Sequence, residues 1–205
     1  LLEAKIAELE TVSGAYGVDM DQAYLSLGNT LLSLEEYEDA NEAYEKAIQL
    51  IRIRDGLNSP LQLPVLEYII NNSLDLQEWE STDDNVHLYW RIARQNFATG
   101  SKSRLIALEQ LSVWQEQAAR ENLLPGILDD VRDTSLLYEN EIEKLEAQAD
   151  FTSNAEHLAT LKLGYASLQY VLAEKTRERP LSDYADGTPP TTTEEQCQVV
   201  RLING

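Results

Sequence analysis

Cysteine, glycine and proline are scarce in this chain, and long apolar runs are missing. Cys197 is the single cysteine among 205 residues, so no disulfide can form within one chain. The nine glycines and six prolines leave few positions that interrupt regular secondary structure. No run of 18 or more apolar residues occurs, so we expect no membrane-spanning helix.

Basic residues are also in deficit, because 16 lysines and arginines stand against 36 aspartates and glutamates, giving a net charge of -20. A chain this negative repels the phosphates of nucleic acids and the headgroups of anionic lipids, which makes both poor partners. Leucine, alanine and glutamate dominate, a composition typical of an all-helical protein. The length is sufficient to bury a core without disulfides or metal ions.

A sequence repeat of about 42 residues organises the chain. Apolar positions coincide at this shift: Tyr24 with Leu66 and Leu108, and Leu27 with Ile69 and Leu111. Apolar residues spaced three and four apart predict two helices in each unit, the first two at about 21–34 and 37–54. The inner side of the second of these helices is predicted to carry Ala40, Ala43, Tyr44, Ala47, Ile48 and Ile51.

Turn and capping signals separate the predicted helices. The short link at 35–36 predicts an antiparallel pair, and Gly28 is small enough to let the two helix axes approach closely. Two capping-box spacings predict the starts of later helices: Ser59 with Gln62, and Ser153 with Glu156.

These signals divide the chain into repeats at about 21–54, 61–97 and 101–148, a capping helix at 153–177, and a flexible linker with a short β-prone tail at 179–205. Residues 1–178 are expected to form one helical repeat domain, in which 1–13 is either a cap or the second helix of an earlier repeat. The chain starts at Leu1 and stops within an apolar run. We therefore expect a removed leader or a fragment boundary at the start, and a fragment boundary at the end.

The first repeat resembles the tetratricopeptide family. The matching positions are the run Tyr24-Leu25-Ser26-Leu27-Gly28, followed by Leu31, Tyr37, Ala40, Tyr44 and Ala47. The match is looser over 63–92 and weak over 104–148, and the long loop at 52–60 is similar to that of the kinesin-light-chain variant. The resemblance implies an all-α, right-handed superhelical solenoid of antiparallel helix pairs, whose concave groove holds a peptide.

The resemblance also implies which residues face the groove. They are Gln22, Leu25, Asn29, Leu32 and Ser33 in the first repeat, Pro64, Glu67, Asn71, Leu74 and Asp75 in the second, and Glu109, Val113 and Glu116 in the third. Asn29 and Asn71 stand one repeat apart, where a side-chain amide can both donate to and accept from a peptide backbone; the alternative is that both are simply solvated. Carboxylate-clamp members of the family hold lysines where Leu25 and Glu67 stand here. We therefore expect a neutral-to-basic protein or peptide partner.

Catalytic and metal-binding signals are weak. His87 and His157 are the only histidines, and neither has a second ligand at metal-binding spacing. Two acidic pairs are interpreted as carboxylates near the positive ends of helix dipoles: Asp83-Asp84 and Asp129-Asp130. No Ser-His-Asp order, nucleophile elbow or phosphate loop occurs. We predict a non-catalytic protein with no cofactor and no metal, in which Trp79 packs in the core.

Two functions remain open at this point. The first is a scaffold that binds a peptide or protein segment in the groove. The alternative is a structural or oligomerisation module that positions a domain after Gly205, suggested by the apolar stretch at 197–203. The loop at 52–60 with Gln62-Leu63-Pro64 is also loosely similar to bacterial exported repeat proteins, which favours a periplasmic or otherwise exported location, with the cytoplasm as the alternative.

Overall fold

A computed structural model describes residues 19–147 and 155–178, and these residues are helical with no β-strand among them. The α-helices are α1 Met20–Ser33, α2 Tyr37–Asp55, α3 Leu63–Asp75, α4 Trp79–Asn96, α5 Lys102–Glu121, α6 Ile127–Glu146 and α7 Ala155–Glu178, and a 3-10 turn, Pro60–Gln62, precedes α3. The predicted all-α class is therefore confirmed. The segments at 1–13 and 179–205 and the predicted cap Ser153 lie outside the described residues.

The chain divides into two compact units, Leu1–Phe97 and Ala98–Gly205. Helices α1 to α4 belong to the first unit and α5 to α7 to the second. The bounds of α1, α2 and α7 agree with the predicted ones to within about two residues, the usual uncertainty of helix ends. The superhelical arrangement of the helix pairs stays a prediction.

The same backbone turn ends α1 and α3. Glu35 and Gln77, which lie about 42 positions apart as the repeat predicts, both adopt left-handed backbone angles, with φ of 62° and 59°. In the first turn the amide of Glu36 donates to the carbonyl of Leu31 and that of Glu35 to Leu32. This pattern is the Schellman motif, which satisfies the last carbonyls of a helix and reverses the chain. The repeat is therefore present in backbone geometry as well as in sequence.

Helix α2 supplies the core of the first unit. Its predicted inner residues, Ala40, Ala43, Tyr44, Ala47, Ile48 and Ile51, are all buried. Helix α1 lies close to α2 at Gly28, where a β-carbon would stand 2.6 Å from Cδ1 of Tyr44. Glycine is thus required here by the volume of the tyrosine ring, as the sequence predicts.

Substitution Gly28→Ala should lower the free energy of unfolding by about 1 kcal/mol, the middle of a net range of about 0–2 kcal/mol. Overpacking against Tyr44 costs about 1–3 kcal/mol, and the higher helix propensity of alanine offsets about 1 kcal/mol of that. Urea denaturation followed by circular dichroism measures the difference. Ser26→Ala, at an exposed position of the same helix, is the matched control and should change stability by less than about 0.5 kcal/mol. A Gly28→Ala protein as stable as the control would contradict the close contact.

An ion pair joins the start of α1 to the end of α2. The buried carboxylate of Asp21 accepts two hydrogen bonds from the guanidinium of Arg54, at 2.9 and 3.0 Å. Burial alone would raise the pKa of Asp21, but the hydrogen bonds and charge of Arg54 hold this pKa below its ordinary value of 3.8. The bidentate geometry fixes the relative position of the two helix ends in addition to pairing their opposite charges.

This pair predicts how stability depends on pH. A carboxyl whose folded pKa is lowered stabilises the fold above its unfolded pKa, and that stabilisation is lost as pH falls through the folded value. Asp21→Asn should therefore be less stable than the wild type at pH 7, and the gap should narrow as pH drops below about 4. Arg54→Met removes the other half of the pair. The difference in stability between this variant and the wild type should narrow in the same way as pH falls. If the difference in unfolding free energy between the wild type and these variants stayed constant from pH 7 to pH 3, the ion pair would not contribute to stability as proposed.

The loop between α2 and α3 is organised by the fully buried side chain of Gln62. Its amide donates to the carbonyls of Leu57 and Ser59, and its oxygen accepts from Nε of Arg52 at 2.7 Å. The hydroxyl of Ser59 accepts from the amide of Leu61. The predicted capping box is therefore wrong in its second half. Gln62 satisfies loop carbonyls instead of returning to the amide of Ser59.

Helices α5, α6 and α7 each pack against the other two, forming the second unit. Polar pairs lie within this bundle: Arg104 is ion-paired with the buried Glu141, and the hydroxyls of Ser112 and Tyr138 are 2.8 Å apart. The buried ammonium of Lys175 donates to the carbonyl of Arg120 at 3.0 Å. A cation there offsets the negative end of α5.

The acidic pairs differ in their positions. Asp129 and Asp130 lie in the first turn of α6, as predicted. Asp83 and Asp84 do not lie in the first turn of a helix, because α4 already begins at Trp79. The acidic residue in the first turn of α4 is Glu80, so Asp83 and Asp84 lie near the start of the helix but beyond the turn in which the helix dipole acts most strongly.

Candidate functional site

The predicted groove residues of the first two repeats lie on α1 and α3 and are solvent-accessible. The leucines of this set are half-buried: Leu25 and Leu32 on α1, and Leu74 on α3. The other members are exposed: Gln22, Asn29 and Ser33 on α1, and Pro64, Glu67, Asn71 and Asp75 on α3. Both helices pack against α2. The two sets thus flank one helix within the first unit, and we call them together the α1–α3 face.

An aromatic residue that the motif did not assign to the groove also belongs to this face. Tyr68 is 38 % exposed and follows Pro64 by four residues and precedes Asn71 by three, so the three lie on one stripe of α3. Helical spacing from Pro64 would have found it. The motif instead places the groove residue at Glu67, one position earlier.

Tyr44 of α2 connects α1 to α3 through both parts of its side chain. Its hydroxyl donates to Oδ1 of Asn29 at 2.9 Å, and its ring stacks on that of Tyr68 with centroids 5.1 Å apart and planes 12° apart. Burial, together with the neighbouring Tyr68, raises the pKa of Tyr44 to about 12, so its hydroxyl remains a donor at physiological pH. The carbonyl of Asn29 is thus committed to Tyr44, and its amide nitrogen makes no hydrogen bond within the described residues.

Glu67 is held in a similar way by α4. Its Oε1 accepts a hydrogen bond of 2.7 Å from the hydroxyl of Tyr89. Burial, followed by the hydrogen bond and charge of Glu67, raises the pKa of Tyr89 above its ordinary value. The hydrogen bond fixes one carboxylate oxygen of Glu67 and leaves the second oxygen available to a ligand. Glu67 and Asp75 make the α3 part of the face acidic.

The hydroxyls of α1 are directed to their own helix. Ser33 donates to the carbonyl of Thr30 at 2.6 Å, and Ser26 donates to Gln22 at 2.8 Å. These side chains therefore offer acceptor lone pairs on the α1 surface, while Asn29 offers donors.

The residues predicted for the third repeat lie on α5, in the second unit. Val113 is 59 % exposed and Glu109 is exposed, whereas Glu116 is half-buried and lies 3.5 Å from Arg120, one turn later. The α1–α3 face therefore consists of residues of the first unit only.

The histidine and tryptophan side chains that are candidates for catalysis or a ligand cage lie buried or half-buried on helices. His87 is half-buried on α4, with Asp83 at 3.8 Å one turn earlier. Trp90 and Trp114 are buried, and Trp79 is half-buried at the start of α4. Within the described ranges, no group of three or more histidine, cysteine or acidic side chains is placed to hold a metal ion. No helix in the same ranges is long and apolar enough to cross a membrane.

Comparison with protein families and with curated proteins identifies no relative of this chain. No protein-family model matches the chain, and no curated protein matches it either. The likeness to tetratricopeptide repeats therefore depends on the residues quoted above.

The two asparagines of the face should differ in their effect on stability. Asn29→Ala removes the acceptor of the Tyr44 hydroxyl, which should cost about 1 kcal/mol of unfolding free energy. Asn71→Ala changes an exposed side chain and should change stability by less than about 0.5 kcal/mol. Chemical denaturation of the two variants in parallel checks this. Equal losses would show that the Tyr44 hydrogen bond contributes nothing measurable.

Proposed function

We propose that the first unit binds a neutral-to-basic peptide or protein segment along the α1–α3 face, and that the protein is a non-catalytic scaffold of the tetratricopeptide type. The observation that carries the proposal is the Tyr44 connection, in which one buried side chain contacts both Asn29 of α1 and Tyr68 of α3. A face whose polar groups are already positioned loses little entropy when it binds.

The chemistry of the face matches an extended peptide with cationic side chains. The amide of Asn29 can donate to a peptide carbonyl, and the amide of Asn71 can donate and accept. The half-buried Leu25, Leu32 and Leu74 supply apolar contact between these polar groups. Glu67 and Asp75 attract lysine or arginine, and the ring of Tyr68 offers a surface for a cation.

A solenoid arrangement and an exported location belong to the same proposal. The backbone turn repeated after α1 and α3 supports tandem helix pairs of the tetratricopeptide kind. The exported location is supported by the loop at 52–60 and the Gln62-Leu63-Pro64 sequence that follows it.

Selection from a random peptide library tests the proposal directly. Panning a phage-displayed dodecapeptide library on the full chain should enrich sequences with lysine or arginine and without net negative charge. For a selected peptide, fluorescence anisotropy should show that Asn71→Ala weakens binding by about fivefold to tenfold. Glu67→Gln should weaken it similarly and flatten the loss of affinity with salt, because one charge is removed.

Matched controls come from the exposed side of α2. Gln49→Ala and Glu45→Gln alter the same chemical groups at exposed positions outside the face, and both should leave the dissociation constant unchanged. The proposal fails if the library yields no binder or enriches acidic peptides. It also fails if the face variants bind the selected peptide as tightly as the two controls do.

A further inference from the structure

Helix α7 is apolar on two opposite sides. Five large side chains point into the second unit and are buried: Leu158, Leu161, Tyr165, Leu168 and Val171. On the opposite side, Leu163 is 73 % exposed and Tyr170 is 60 % exposed. A helix of a three-helix bundle needs one apolar stripe, so the second one is not explained by the bundle.

The exposed stripe has the spacing of a coiled-coil seam. Apolar residues follow one another at alternating intervals of four and three residues, the a and d positions of a heptad repeat: Ala159, Leu163, Ala166, Tyr170 and Ala173. Small and large residues alternate along it. The next seam position towards the start of the helix is Glu156, and the next towards its end is Arg177, both exposed.

The stripe is also long enough to act as an interface element. Helix α7 has 24 residues, which corresponds to about 36 Å at 1.5 Å per residue. By contrast, Leu136 on α6 is 55 % exposed as a single leucine, which is ordinary for a protein surface. The periodic pattern distinguishes the α7 seam from such isolated residues.

We propose that the α7 seam binds the same seam of a second copy of this chain, with the two helices antiparallel. In an antiparallel pair a positions meet d positions, so Leu163 lies against Ala173 of the second copy and Tyr170 lies against Ala166. Each large side chain then has a small one opposite. A twofold axis repeats every contact, as in an isologous dimer.

Charge selects the antiparallel direction over the parallel one. A parallel pair would place Glu156 beside Glu156 and Arg177 beside Arg177, with like charges at both ends. In the antiparallel pair Arg177 lies against Ala159 of the second copy, and Glu156 of that copy is one layer away, about 5 Å along the helix axis. The acidic start of each helix therefore meets the basic end of the other.

Sedimentation velocity of the full chain over a concentration series tests the proposal, in reducing buffer so that Cys197 cannot link two chains. The wild type should change from monomer to dimer as concentration rises. Leu163→Glu and Tyr170→Glu should each raise the dimer dissociation constant at least about 100-fold, because two charges enter an apolar seam. Leu136→Glu, the matched control on α6, should leave it unchanged.

Exchanging the charges at positions 156 and 177 distinguishes a contact across the interface from a general loss of stability. Glu156→Arg and Arg177→Glu should each weaken the dimer by roughly fivefold, and the double variant should regain most of the lost affinity. Circular dichroism melting of every variant checks that the helices persist. A wild type that stays monomeric at all concentrations overturns the proposal, as does a dimer that ignores the seam substitutions. Additivity of the two charge reversals without recovery overturns the antiparallel register.

Salt distinguishes this dimer from the peptide complex. Two chains with a net charge of -20 each repel one another, so added salt should strengthen the dimer. Binding of a basic peptide to the α1–α3 face should weaken under the same change. Either proposal can therefore fail without affecting the other.

Discussion

The first unit depends on the side chain of Tyr44, which is buried and makes three different contacts. Its ring fills the space above Gly28 of α1 and stacks on Tyr68 of α3, while its hydroxyl is bonded to Asn29. Packing of a ring against a glycine sets how near α1 and α2 approach. The hydrogen bond sets their rotation, and the stacked rings position α3. One residue in the middle of α2 therefore determines the geometry of three helices and of the surface they share.

Tyrosine is used in a comparable way elsewhere in the chain. The Tyr138 ring lies against Gly164, and its hydroxyl lies 2.8 Å from that of Ser112; the Tyr165 hydroxyl donates to Glu139 at 2.5 Å. In each case a large flat side chain fills the interior, and its polar tip meets a partner on an adjacent helix. This is an economical way to build helix pairs in a protein with two phenylalanines among its 205 residues.

Local periodicity was sufficient to predict the helices and the buried side of α2, because both depend on spacing within one segment. It failed where partners are distant or compete. Gln62 has the spacing of a capping box, but the carbonyls of the folded loop are nearer acceptors for its amide. Arg104 and Glu141 form an ion pair although 37 positions separate them. No local sequence pattern around either residue predicts this partner. Exposure of Asn29 and Asn71 follows from helical phase, whereas the hydrogen bond that distinguishes them requires the position of Tyr44.

The left-handed turns at Glu35 and Gln77 have a consequence for how such a protein can change over time. Both turns are closed by main-chain hydrogen bonds, so the direction in which the chain reverses does not depend on the side chains of the exposed α1–α3 face. Outward-facing residues other than Asn29 and Tyr68, which contact Tyr44, can be exchanged while the hairpin keeps its angle. At most positions of the face, the direction of the chain reversal and the chemistry of the exposed surface can therefore change independently of one another.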